Sequence, residues 1–343
     1  MKITKDNLSN AVKNNILTSS QADELIIFLK SQPNIGPVFD FTHVLYYFGG
    51  LIAIGAMTLF MNIGWESFGG WGIFFISLIY AGVGLKLTNH FQNKGYAIPA
   101  GICATFVVAL TPLAMYGLQQ AFGFWPDETT YNEYHKYIKW YWIYMELGTL
   151  AVGTAIAWRY RYPFLIMPIS VTLLYMSMDL TAMISGGDIT WELRKLVSMY
   201  SGILIIGLAF WVDVRARKTV DYAFWLYIFG VMAFWCGLSS QTSDSELSKF
   251  IYFTINVFMI GIGVLLIRRV FVVLGALGAC GYLGYLASSV FEDSWLFPIA
   301  LTAIGLLIIY LGVLWQKNEA KITEHVRSVL PSQIRELLES KSV

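Results

Sequence analysis

Two carboxylates, Glu146 and Asp179, fall inside long apolar stretches of this chain. On insertion scales an acid at the middle of a bilayer costs about 2.5–3.5 kcal/mol, so it is kept where it is hydrogen-bonded or faces a water-filled cavity. Lys and Arg enter the apolar stretches only at their ends, at Lys86 and Arg268, so none is expected to neutralise either acid. Acids so placed are what a proton-coupled or cation site needs. The plainer alternative is two acids near the interface, reached by water and held by hydroxyls. Two prolines are further candidates. Pro112, in Thr111-Pro112, and Pro168 each lie within an apolar stretch. A proline removes a backbone hydrogen bond and kinks a helix. Broken helices near the midplane frame binding sites in transporters, although proline is also tolerated in membrane helices generally.

The residues spell out no catalytic set. HExxH, GxSxG and P-loop motifs are absent. His43, His90, His135 and His325 are scattered, and Cys103, Cys236 and Cys280 all fall in apolar runs with neither metal nor disulfide spacing. The expectation is a protein that is not an enzyme and that carries no cofactor or metal.

The elements that must position these residues are membrane helices. Of 343 residues, 57% are hydrophobic and 13% charged, against about 25% charged in soluble domains. That leaves too little polar surface to solvate a globule of this size, so the apolar surface is expected to face lipid. A net charge of +1 offers no basic face for nucleic acid. A bilayer core of about 30 Å needs about 20 apolar residues per helix. Ten stretches qualify: 41–63, 68–88, 97–120, 141–158, 162–185, 196–213, 222–240, 250–268, 270–290 and 295–315. Very tight turns at Trp65-Glu66-Ser67 and Arg268-Arg269 make their flanking helices antiparallel neighbours.

Charge orients them. One set of connections, with both tails, holds 18 of the 23 Lys and Arg; the alternate set is acidic. The positive-inside rule then puts both termini in the cytoplasm. The fold expected is all-α and polytopic. A cytoplasmic helical hairpin covers 1–36, and its second helix opens at a capping box, Thr18-Ser-Ser-Gln21. A ten-helix transmembrane domain covers 37–316, and a cytoplasmic amphipathic tail covers 317–343. No apolar leader precedes the first stretch, which is expected to act as the insertion signal.

Small residues mark close packing. Gly275, Gly278, Gly281 and Gly284 recur every three residues, which suits a helix at the bundle centre or at a homodimer contact. Spaced glycines also precede four basic turns: Gly82 and Gly84 before Lys86, Gly148 and Gly153 before Arg159, Gly202 and Gly207 before Arg215, and Gly261 and Gly263 before Arg268. The pattern fits either duplicated two-helix units or the constraints every membrane hairpin shares.

Three stretches carry a family likeness: Leu8…Asn14-Asn-Ile-Leu-Thr-Ser-Ser-Gln-Ala22…Leu25; Phe48-Gly-Gly-Leu-Ile…Asn62-Ile-Gly-Trp65-Glu; and Leu311-Gly-Val-Leu-Trp-Gln-Lys-Asn-Glu319…Leu330-Pro331…Arg335…Leu338. They frame nearly the whole chain, which resembles the bacterial predicted membrane proteins of the domain of unknown function 2157 family. Members carry Asn-Trp at the first turn, where here Asn62 and Trp65 are separated. The resemblance implies a many-helix protein of the bacterial inner membrane and no reaction. The function expected is binding or movement of a small solute or lipid, coupled to protons through Glu146 and Asp179. The alternative is a membrane scaffold or sensor whose cytoplasmic tails dock a soluble protein.

Overall fold

The structure, a computed structural model, describes residues 8, 11–14, 16–31, 41–64, 68–125, 142–184, 190–216, 221–290, 298–299, 301–303, 305–306 and 309–310. The turn at Trp65-Glu66-Ser67 and the tail over 317–343 lie outside these residues. Of the tenth apolar stretch only scattered positions are described, all of them helical.

The described elements are all helical. They are α1 Ser19–Ser31, α2 Phe41–Gly64, α3 Gly69–Asn93, α4 Ala97–Ala109, α5 Thr111–Ala121, α6 Trp142–Tyr160, a 3-10 turn Pro163–Leu165, α7 Ile166–Ile184, α8 Trp191–Ala216, α9 Phe224–Ser239, α10 Glu246–Leu265, α11 Arg269–Tyr285 and a π-helical turn Leu286–Val290. Five segments are long and apolar enough to cross a membrane: Gly69–Asn93, Ala97–Ala121, Trp191–Arg215, Glu246–Leu265 and Arg269–Ser289. Large apolar side chains such as Phe75, Ile79, Leu204 and Phe258 point outward from them. A helix that is apolar on its outer face as well as its inner one suits lipid rather than water.

Local chemistry sets the ends. At α1 the Thr18 amide donates to Gln21 Oε1 at 3.0 Å and the Gln21 amide donates to Thr18 Oγ1 at 3.3 Å, the reciprocal pair of a capping box. Gly95, at φ +78°, ends α3, and the Tyr96 amide reaches back to Phe91 O at 2.9 Å. The end of α10 closes in the same way. There the Arg268 amide donates to Gly263 O at 2.8 Å, and the left-handed position is Ile267, at φ +57°. A β-branched residue is an outlier in that region.

Glycine decides which helices touch closest. A Cβ built on Gly84 would lie 2.6 Å from Val107 of α4. One on Gly153 would lie 3.0 Å from Ile169 of α7, one on Gly202 2.3 Å from the Phe234 amide of α9, and one on Gly263 2.6 Å from Val272 of α11. In each case the close neighbour is the return helix of the same pair. Gly82, Gly207 and Gly261 face no described atom within 4 Å. Each of these three pairs therefore uses one of its two spaced glycines. In the stripe on α11, Gly275 and Gly278 press on Asn256 of α10, while Gly281 and Gly284 meet no described atom.

The buried apolar residues form two main groups. One, around Ile73, Leu110, Leu113, Tyr116 and Met145, joins α2, α3, α5 and α6. The other, around Ile205, Leu226, Tyr227, Met259 and Phe271, joins α8 to α11, with Leu173 and Leu174 of α7 packed against it.

Candidate functional site

The two acids lie on α6 and α7, which pack against each other. Glu146 lies four residues after the start of α6, and Asp179 lies five residues before the end of α7. The helices are antiparallel, so both acids lie within about 6 to 8 Å of axial rise from one end of the bundle. That end is opposite the turns that hold Lys94, Arg161 and Arg268, here termed the basic end. Glu146 is 9% exposed and Asp179 6%, and their carboxyl groups lie close enough to act on each other. A carboxylate only accepts hydrogen bonds, so a hydrogen bond between two such acids needs one of them to hold a proton. Glu146 Oε2 is buried and finds no hydrogen-bond partner among the described residues. The Thr149 hydroxyl, three residues on along α6, donates instead to Met145 O at 2.6 Å.

The prolines occupy different positions from each other. Pro112 sits at the start of α5, just after the break between α4 and α5 at Leu110, so the third apolar stretch is two helices in line. Pro168 stands in the first turn of α7, where amides lack intrahelical acceptors. The interruption in that stretch is the 3-10 turn before it, and Pro168 breaks nothing inside the helix.

One expectation needs correction. Lys195 lies inside a helix, because α8 starts at Trp191, five residues before the apolar stretch. Thr190 Oγ1 accepts the Leu193 amide at 3.3 Å and caps that added turn. The Lys195 side chain is buried, and Glu192 neutralises it at 2.7 Å.

A second polar cluster, which the sequence reading passed over, lies at the basic end. Arg268 follows Ile267 in the α10–α11 turn and is 7% exposed. One guanidinium nitrogen is 2.9 Å from Asp213 Oδ2 and 2.9 Å from Asp221 Oδ1, and the other meets Asp221 Oδ2. The guanidinium carbon stands 4.7 Å over the Tyr227 ring. Burial works against the cation, but the bonds to Asp221 and Asp213 outweigh it and hold the guanidinium above its usual range. Next to Asp221, the Tyr222 hydroxyl donates to Arg161 O at 2.7 Å, which extends the cluster to the α6–α7 turn.

A third polar contact crosses the middle of the bundle. Trp235 Nε1 of α9 donates to Asn256 Oδ1 of α10 at 3.0 Å, and Asn256 Nδ2 donates to Tyr252 O at 2.8 Å. Among the described residues no three His, Cys, Asp or Glu side chains gather as a metal site requires. Comparison of the chain with family models, with curated proteins and with solved structures finds no match.

Proposed function

We propose that this is a multi-pass protein of the bacterial inner membrane, with about ten spans and both termini in the cytoplasm. It binds or moves a small solute or lipid, with Glu146 and Asp179 as its proton-coupled site. The observation that carries the reading is the pair of buried acids on adjacent helices, with Glu146 Oε2 buried and without a hydrogen-bond partner among the described residues. Ionisable residues inside membranes face the bundle interior or a water-filled cavity and mark ion and proton pathways. Two acids on adjacent helices holding one proton between them form an arrangement that gains or loses charge with a single proton. The basic ends of the helix pairs support the orientation.

The test is proton movement. Liposomes containing the purified chain are loaded with a pH-sensitive dye, and a pH gradient is imposed. Sodium, potassium, amino acids, polyamines and short-chain fatty acids are then added in turn. One class is expected to discharge the gradient in the wild type and to leave it standing in Glu146→Gln. A wild type that responds to none, or a variant that responds equally, overturns the reading.

A second reading, a scaffold or sensor that docks a soluble protein through its cytoplasmic ends, is favoured by α1. Its capping box is formed, and Leu8 and Ala22 are buried in the N-terminal segment. These belong to a folded unit rather than a loose tail. Removal of residues 1–36 with unchanged proton movement would assign that unit to a separate role.

A further inference from the structure

We propose that the α10–α11 turn is a strained latch. Arg268 holds the basic end of the α10–α11 pair against the α8–α9 pair, and loss of its ion pairs opens that end. The inference does not depend on the role of Glu146 and Asp179.

Three observations carry it. First, Ile267 sits at φ +57° immediately before Arg268. A β-branched side chain there is held only where the surroundings over-determine it, and such residues gather at switch regions. What holds it is Arg268, through its amide on Gly263 O and its guanidinium on Asp213 and Asp221. Second, the ionic tie between the two pairs is at one end. Asp213 closes α8, Asp221 precedes α9, and Arg268 joins α10 to α11. Farther along, the described ties between α9 and α10 are neutral: Trp235 to Asn256, and Ser239 to Tyr252 at 3.0 Å. Those bonds sit where a hinge would. Third, α10 and α11 are fastened to each other at the far end. Lys249 Nζ lies 2.8 Å from Glu246 Oε1 and 2.6 Å from the Tyr285 hydroxyl, which itself donates to Glu246 at 2.6 Å. The pair therefore turns as one body about its neutral contacts.

The test is thiol access at the basic end. Ala223 is 1% exposed and lies two residues from Asp221. In the full chain, with Cys103, Cys236 and Cys280 replaced by serine, Ala223→Cys is labelled with a maleimide in lipid nanodiscs. Arg268→Gln is expected to raise the labelling rate about ten-fold or more, because it strips two acids of their buried cation. Ile267→Gly is expected to lower it roughly five-fold, because glycine relieves the left-handed residue and favours the closed turn. A reporter at the buried Ala104, in the other half of the bundle, stays unlabelled in both variants. Unchanged labelling in Arg268→Gln overturns the latch. So does faster labelling in Ile267→Gly, or labelling of Ala104→Cys at the same raised rate, which would mean general unfolding.

Discussion

Asn256 occupies the space that a side chain at position 278 would need: a Cβ built on Gly278 would lie 2.0 Å from Asn256 Oδ1. The same oxygen accepts the indole N–H of Trp235 at 3.0 Å. Glycine on α11 thus lets a polar side chain of α10 lie between three helices with its amide oxygen and its amide nitrogen each hydrogen-bonded.

Gly278→Ala is therefore expected to displace Asn256 and to cost about 1–3 kcal/mol, the range for overpacking a filled interior. Gly281→Ala, three residues on, meets no described atom and should change stability by less than about 0.5 kcal/mol. Thermal unfolding of the two variants in one detergent gives the comparison, and equal losses would contradict the packing described.

Trp235→Phe should remove the donor and leave Asn256 Oδ1 buried without its partner, at a cost of about 1–3 kcal/mol. The double variant Trp235→Phe, Asn256→Leu removes both polar groups and should recover part of that loss. A double-mutant cycle on unfolding midpoints reads the difference.

The acids of the candidate site have a spectroscopic signature. The proposed proton-coupled pair of Glu146 and Asp179, sharing one proton, should give the infrared band of a hydrogen-bonded carboxylic acid. In Glu146→Gln the amide N–H replaces that proton, so the band should vanish while the fold persists. Persistence of the band in that variant would assign it elsewhere.

At the basic end the two acids should differ in weight. Asp213 is buried with Arg268, and its replacement by Asn is expected to cost about 3–5 kcal/mol, as when one partner of a buried pair is removed. Asp221 keeps 44% of its side chain exposed, so solvent screens it, and Asp221→Asn should cost about 1 kcal/mol. Chemical unfolding in mixed micelles ranks them; equal costs would refute the asymmetry.

The contrast between the clusters shows how much sequence carried. Apolar run lengths gave the helices, and the ends of those runs put Glu146 and Asp179 at one depth on adjacent helices. That they face each other follows from rotation about the helix axes, which run length does not encode. Arg268 reads as an ordinary basic turn residue, because orientation rules count charges and ignore their direction. The overlooked signal was Val212-Asp213-Val214, an acid within an apolar run at the level where a two-residue turn brings a cation inward. Asn256, between Ile255 and Val257, was a similar signal. Pro168 misled because the helix start, and with it the cost of a missing amide, depends on the turn before it.

The pairing of glycines with return helices has a consequence for biogenesis. Gly84, Gly153, Gly202 and Gly263 each find their closest surface on a helix made next by the ribosome. A nascent pair can therefore reach its tightest backbone approach before any later pair exists, using contacts that need no partner from elsewhere in the chain. Assembly then follows synthesis, hairpin by hairpin. The contacts between pairs, Arg268 with Asp213 among them, come last.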